Sequence, residues 1–160
     1  MHSLLQFLTV IAMFTSTTVN LSGGKGTTLR QVNDDKYKPG QVWSYKTRAD
    51  EANSTLTILR IEEMPDKKRI VHIRVDGVQL TNCTGGPAPN KFEHMPFSKE
   101  AIDNSVVKML RSGAVPDYQE GYSEWRAAWD AGKAGYYTFT VAHAVDASQA
   151  VFDQGMGCSK

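Results

Sequence analysis

Histidine is the side chain best suited to acid-base chemistry near neutral pH, and it is a frequent zinc ligand. His72, His94 and His143 fall in three separate predicted elements, and none has a partner at the H-x-H or H-E-x-x-H spacing. A metal site would need all three to converge, so we expect no metal and no cofactor. Glu93 directly precedes His94, and this pair is the candidate for proton transfer.

Cys83 and Cys158 are the two cysteines of the chain. No G-x-S-x-G motif and no cysteine-protease context surrounds a candidate nucleophile. In an oxidising compartment the two thiols would form one disulfide between the loop after the third predicted strand and the C-terminus. The alternative is two free thiols, and the spacing does not decide between them.

Four aromatic residues recur at helical steps, namely Tyr118, Tyr122, Trp125 and Trp129. The more common explanation is the core-facing side of an amphipathic helix. The alternative is an exposed binding surface next to Arg126, since Trp, Tyr and Arg are enriched at interface hot spots. No basic residues interleave with the aromatic ones, so we expect no nucleic-acid partner.

Three strand-like runs, at residues 41–47, 54–61 and 69–75, would position these groups. They carry β-branched and aromatic residues, and short polar turns separate them. This pattern predicts an antiparallel meander. The apolar phase changes between Ile58 and Leu59, which indicates a bulge or a strand covered on both faces.

A long irregular segment follows at residues 81–96. After it the sequence predicts helices over 98–113 and 117–132, a strand over 136–140 and a last helix over 141–155. The order is therefore β-β-β-loop-α-α-β-α. Strands first and helices mostly afterwards predict an α+β fold, a small antiparallel sheet with the helices packed on one face.

The N-terminus carries an apolar run at residues 4–14, the length of a signal-peptide core and too short to span a bilayer. We predict a signal peptide at 1–22, a flexible lead-in at 23–38, one domain at 39–155 and a tail at 156–160. An ordinary buried helix or a membrane anchor is the alternative to the signal peptide. The prediction is therefore an exported protein, periplasmic or secreted, with no stable membrane insertion after signal removal.

The segments YKPGQVWSYKTR at 37–48, STLTILRIE at 54–62, HMPFS at 94–98 and GYSEWR at 121–126 carry a resemblance. The chain resembles a family of small bacterial proteins of uncharacterised function over about residues 37–152. The resemblance implies a bacterial domain. It implies no activity and no catalytic residues.

The sequence favours an exported, non-enzymatic protein that binds a protein partner or a small ligand, with an inhibitor or immunity-type module as one version. The loop from 82 to 95 and nearby side chains are the predicted binding surface, because functional residues concentrate on loops held by a rigid scaffold. Its residues are Asn82, Lys91, Phe92, His94, Met95, Trp125, Arg126 and Trp129. The alternative is a small hydrolase or isomerase with a pocket between sheet and helices, using His94 and Glu93.

Overall fold

A computed structural model describes residues 27–158 of the chain. It confirms an α+β fold built on an antiparallel sheet. The elements are β1 Arg30–Gln31, β2 Gln41–Tyr45, β3 Thr55–Glu63, β4 Arg69–Asp76, β5 Lys91–Ser98, α1 Lys99–Ser105, β6 Val106–Ser112, α2 Gln119–Asp130 and α3 Val141–Gly155.

The predicted meander forms the centre of the sheet. The strand order is β5-β4-β3-β2-β6. Strands β1 and β2 lie on the same side of β3, where β2 pairs with the first residues of β3 and β1 with the last. The pairing of β3 with β4 shifts register between Ile58 and Arg60, which is the bulge indicated by the phase change. Ile61 and Glu62, which follow the bulge, are both buried and point to opposite faces, so β3 is also covered on both faces.

Two elements were assigned to the wrong class from the sequence. The helix predicted over 98–113 ends at Ser105, and the chain continues as strand β6 along β2. The strand predicted over 136–140 is not one of the named strands, because Tyr137 makes only an isolated parallel bridge to Phe97. The irregular segment is also shorter than predicted, since β5 begins at Lys91.

The helices lie on both faces of the sheet rather than on one. Val71 and Ile73 of β4 point to the face that α1 and α3 cover, in a core cluster with Ala101, Val141 and Val145. Alternate residues along a strand point to opposite faces. Ile70 and His72 therefore face the other way, where Ile70 shares a cluster with two tryptophans of α2 and His72 contacts one of them.

Part of the segment expected to be a flexible lead-in is packed against the domain. Tyr37 is fully buried, and its backbone N–H donates to the carboxylate of buried Asp34. Arg30 and Gln31 pair with β3. The lead-in expectation is therefore corrected for residues 27–38. The predicted signal peptide at 1–22 lies outside the described residues.

The Cys83 to Cys158 disulfide is present, which confirms the predicted bridge. The two Cα atoms are 6.1 Å apart, a separation that a disulfide spans without backbone movement. The bridge holds the loop at 77–90 against the end of α3, so the predicted tail is tied down at Cys158. Across residues 27–158, no helix combines the length and apolar character needed to cross a membrane.

Candidate functional site

A buried carboxylate lies between the sheet and α2. Glu62 is fully buried on β3, and its two oxygens face donors from three directions. Oε1 accepts hydrogen bonds from Arg60 Nε at 3.0 Å and from the Tyr122 hydroxyl at 2.8 Å, while Oε2 accepts from His72 Nε2 at 3.0 Å. Arg126 of α2 lies 3.6 Å from Oε1. We call Glu62, Arg60, His72, His94, Tyr122 and Arg126 the Glu62 network.

Register explains why these side chains meet. Arg60 of β3 pairs with His72 of β4, and Glu62 pairs with Ile70, so Arg60, Glu62 and His72 project from the same face of neighbouring strands. His72 in turn pairs with Pro96 of β5. His94 lies two residues before Pro96, and its Nε2 is 2.9 Å from His72 Nδ1. The sheet therefore aligns Glu62, His72 and His94 in one hydrogen-bonded row.

The hydrogen bonds assign the tautomers of both histidines in their neutral forms. His72 Nε2 donates to the Glu62 carboxylate, which accepts only, so His72 Nδ1 carries a lone pair. His94 Nε2 must then donate to that lone pair. His94 Nδ1 is consequently the unprotonated atom at the end of the row, an acceptor rather than a donor.

Electrostatics keep the row as one carboxylate and two neutral rings. Burial alone would raise the pKa of Glu62, but the hydrogen bonds from His72, Tyr122 and Arg60 outweigh it and lower this pKa to about 2. Burial lowers the pKa of His72 below its usual value. Burial, with the neighbouring His72, lowers the pKa of His94 to about 3.

Helix α2 closes over the row through small and aromatic residues. A Cβ at Gly121 would lie 3.0 Å from the Cβ of His94, so a larger residue there would press on that histidine. The Trp125 ring lies 4.7 Å from the His72 ring, centre to centre, and its Nε1 donates to the Gly135 carbonyl. Trp129 is fully buried, and its Nε1 donates to the Thr27 carbonyl. The two tryptophans of the aromatic stripe are therefore core, while Tyr118 and Tyr122 are half-buried.

The predicted binding residues separate into different environments. Met95 is buried, and Phe92 packs against the core cluster beneath α1 and α3. The Asn82 side chain accepts from the backbone N–H and the hydroxyl of Thr84, within its own turn. Lys91 pairs with Glu93 at 2.6 Å. Of the predicted set, His94 and Arg126 reach the Glu62 network, while Trp125 and Trp129 pack beside it.

The structure does not bring Glu93 and His94 together as an acid-base pair. Glu93 is half exposed and accepts from Arg74 at 2.8 Å and from Lys91. His94 points instead toward His72, with which it forms a hydrogen bond. The carboxylate linked to His94 is that of Glu62, two strands away.

Sequence reasoning missed Glu62, His72 and Tyr122 as network members. Glu62 ends a strand-like run and His72 alternates with apolar residues, two patterns typical of a solvated face, yet both side chains are fully buried. One signal was available in the sequence. Arg60, Glu62, His72 and Arg74 put charged or titratable groups at alternate positions on two adjacent strands, so a cover over that face would bury a polar row.

Strand β6 is an exposed edge of the sheet. Only Val106 at its start packs against the core cluster. Three large apolar residues of this strand are exposed to solvent. Their relative accessible surface is 64% for Val107, 43% for Met109 and 49% for Leu110. We call Val107, Met109 and Leu110 the β6 patch. At the end of the strand Gly40, with a φ of +87°, allows the Gly113 carbonyl to approach, where a Cβ would lie only 2.1 Å away.

A cleft of about 750 Å³ opens on the α3 face of the sheet, away from His94. Arg48, Thr81, Asp146 and Gln149 are among the residues that line it. Arg48 is already paired, with Glu51 and with Asp146. Among residues 27–158, no three His, Cys, Asp or Glu side chains are grouped so that they would hold a metal ion.

Comparison with known proteins finds no matching family model, no match among curated proteins and no match among solved structures. The resemblance to uncharacterised bacterial proteins therefore stays a prediction.

Acid should destabilise the fold, and His94 should account for part of the effect. Its pKa falls from 6.5 to about 3 on folding, so the unfolded chain binds more protons below pH 6.5 and the stability declines as the pH falls toward 3. Glu62, whose pKa falls from 4.5 to about 2, acts in the same direction below pH 4.5. We expect a loss on the order of 3 kcal/mol from His94 between pH 7 and pH 4.

Denaturant unfolding at half-unit pH intervals measures this loss. A His94→Gln variant should have a flatter profile between pH 6.5 and 4.5. The matched control is His143→Gln, which removes an exposed histidine of α3 outside the network. An identical slope for wild type and His94→Gln would contradict the prediction.

Proposed function

We propose that this chain is an exported, non-enzymatic binding protein that engages a protein partner through the β6 patch. One observation carries the proposal. Strand β6 carries two charged residues, as edge strands usually do, yet it also presents three exposed apolar side chains over seven residues. A concentrated apolar surface of this kind is typical of interaction sites.

The position of β6 supports a role in binding rather than in stability. Val107 and Leu110 are the extra residues at two register shifts along β2, so neither has a cross-strand neighbour of its own. Their exposed side chains contribute little to the core. They remain available to a partner.

Export is supported by the apolar run at residues 4–14 and by the disulfide, since disulfides persist in oxidising compartments. An inhibitor or immunity-type module is the version of this function that fits a small, rigid, disulfide-tied domain. The loop at 77–90 stays a second candidate surface, because the bridge fixes its position and most of its residues are exposed.

Affinity capture from the cell envelope of the source organism tests the proposal. Wild type is compared with Leu110→Glu, which places a charge in the β6 patch, and with Ala150→Glu, which places the same charge on exposed α3. We expect the amount of specific partner recovered with Leu110→Glu to be at least tenfold lower than with wild type, and the amount recovered with Ala150→Glu to be unchanged. Equal recovery by both variants, or no specific partner with wild type, would count against the proposal.

A second candidate function is a small hydrolase or isomerase that uses His94, favoured by the Glu62, His72 and His94 row. Rows of this kind orient a terminal imidazole for proton transfer. Two observations weigh against it: Gly121 and the rest of α2 cover His94, and the cleft lies on the other face of the sheet. Turnover of a panel of ester and amide substrates that disappears in His94→Gln and persists in Leu110→Glu would favour the enzyme.

A further inference from the structure

We infer that the partner of the β6 patch is a protein segment in which apolar and acidic side chains alternate, the acidic ones being selected by Lys108 and Arg111. This inference rests on the proposed function and adds the chemistry of the partner. The observation behind it is that, in the part of the chain that the structure describes, exposed apolar side chains and unpaired positive charges lie on the same short strand, β6.

Apolar exposure in the described chain is concentrated around β6. Val107, Met109, Leu110 and Val115 are the large apolar residues that remain exposed in the described part of the chain. All four lie within nine consecutive positions. An exposed apolar cluster is stabilised when a partner removes its surface from water.

Positive charge on the same strand is uncompensated. Lys108 and Arg111 flank Met109 and Leu110, and the sequence has no acidic residue between Asp103 and Asp117. Basic residues elsewhere on the sheet are paired, as Arg60 is with Glu62 and Arg74 with Asp76. Within residues 27–158, neither Lys108 nor Arg111 forms an ion pair with an acidic side chain.

The pattern favours an acidic protein segment over other occupants. Two cations are fewer than the four to eight that typically bind anionic lipid, and no aromatic residue of β6 is available to stack on bases. A second copy is disfavoured, because it would bring another Lys108 and Arg111 to a strand that has no acidic residue of its own. Like charges also protect edge strands from self-association.

The two register shifts along β6 determine how such a segment would be held. Each inserts an extra residue and interrupts the regular ladder of backbone donors and acceptors. The partner is therefore held mainly by side-chain contacts with the β6 patch and by ion pairs. Its apolar residues cover Val107, Met109 and Leu110, and its carboxylates reach Lys108 and Arg111.

A random library of 12-residue displayed peptides, selected against the full chain as exported, tests the inference. We expect the selected peptides to be enriched in Asp and Glu interleaved with large apolar residues. Binding should weaken several-fold when the NaCl concentration rises from 50 to 500 mM, because exposed ion pairs are screened. Arg111→Glu should weaken binding at least tenfold, while Lys133→Glu, an equal charge change after α2, should leave it unchanged.

The outcomes separate the partner chemistry from the surface itself. If the selected peptides show no acidic bias but fail to bind Leu110→Glu, the β6 patch remains the binding surface and the acidic character of the partner is overturned. Peptides that bind Leu110→Glu as well as wild type would overturn both. Sedimentation velocity that shows a dimer abolished by Leu110→Glu would assign the β6 patch to a second copy and also overturn the inference.

Discussion

Replacing Glu62 by glutamine should lower the free energy of unfolding by about 3 kcal/mol, because it removes a buried charge from partners that remain charged. The carboxylate is fully buried, and donors face both of its oxygens. Glutamine has nearly the same volume as glutamate, but its side chain carries an NH2 donor group where the carboxylate has its second acceptor oxygen. With its NH2 group toward Arg60 the amide faces another donor, and with that group toward His72 both histidines must change tautomer before His72 can accept from it.

The matched control is Glu93→Gln, the same substitution on an exposed carboxylate. Glu93 also pairs with two basic side chains, Arg74 and Lys91, but its side chain is 49% exposed. Exposed ion pairs contribute at most about 1 kcal/mol, so this variant should stay close to wild type. Urea unfolding at pH 7 measures both. A Glu62→Gln variant as stable as Glu93→Gln would show that the Glu62 network contributes little to the fold.

The central strands were predictable because their signals are local. Alternating β-branched residues and polar turns specify β3 and β4, and the change of apolar phase at Ile58 and Leu59 marks the observed bulge. The N-cap of α1 is also a local signal. The Ser98 side chain accepts from the Ala101 backbone N–H, as its position before the helix predicts.

Strand β6 was not predictable because a long-range pairing decides it. Ile102, Val106, Met109 and Leu110 recur at helical spacing, yet the helix ends at Ser105. The Ser105 hydroxyl donates to the Ala101 carbonyl and accepts from the Val141 backbone N–H, and the Ser105 carbonyl accepts from Lys46. Contacts with β2 and α3 thus outweigh the local helical preference.

The Glu62 network was missed because its burial depends on the placement of α2. The sequence shows polar residues on one face of β3 and β4, and a face of that kind is usually wet. Here α2 covers it and supplies Tyr122 and Arg126 to complete the hydrogen bonds. Which face a helix selects is a tertiary property, and no local pattern around residues 117–132 specifies it.

Removing the disulfide should cost about 4 kcal/mol, because the bridge closes a loop of 75 residues and restricts the unfolded chain. The double variant Cys83→Ser/Cys158→Ser removes the bridge without leaving a reactive thiol. Its melting temperature should fall well below that of wild type. Hydrogen exchange should also accelerate at residues 81–90, since Cys83 anchors that loop to the end of α3.

A reducing agent provides the internal control, because it acts on wild type only through the bridge. Wild type treated with a phosphine reductant should reach the stability of the double variant, and the double variant should not respond. This comparison separates the bridge from any packing effect of serine at the two positions. Free, alkylatable thiols in the exported protein, or a double variant as stable as wild type, would contradict the prediction and remove the structural support for an oxidising compartment.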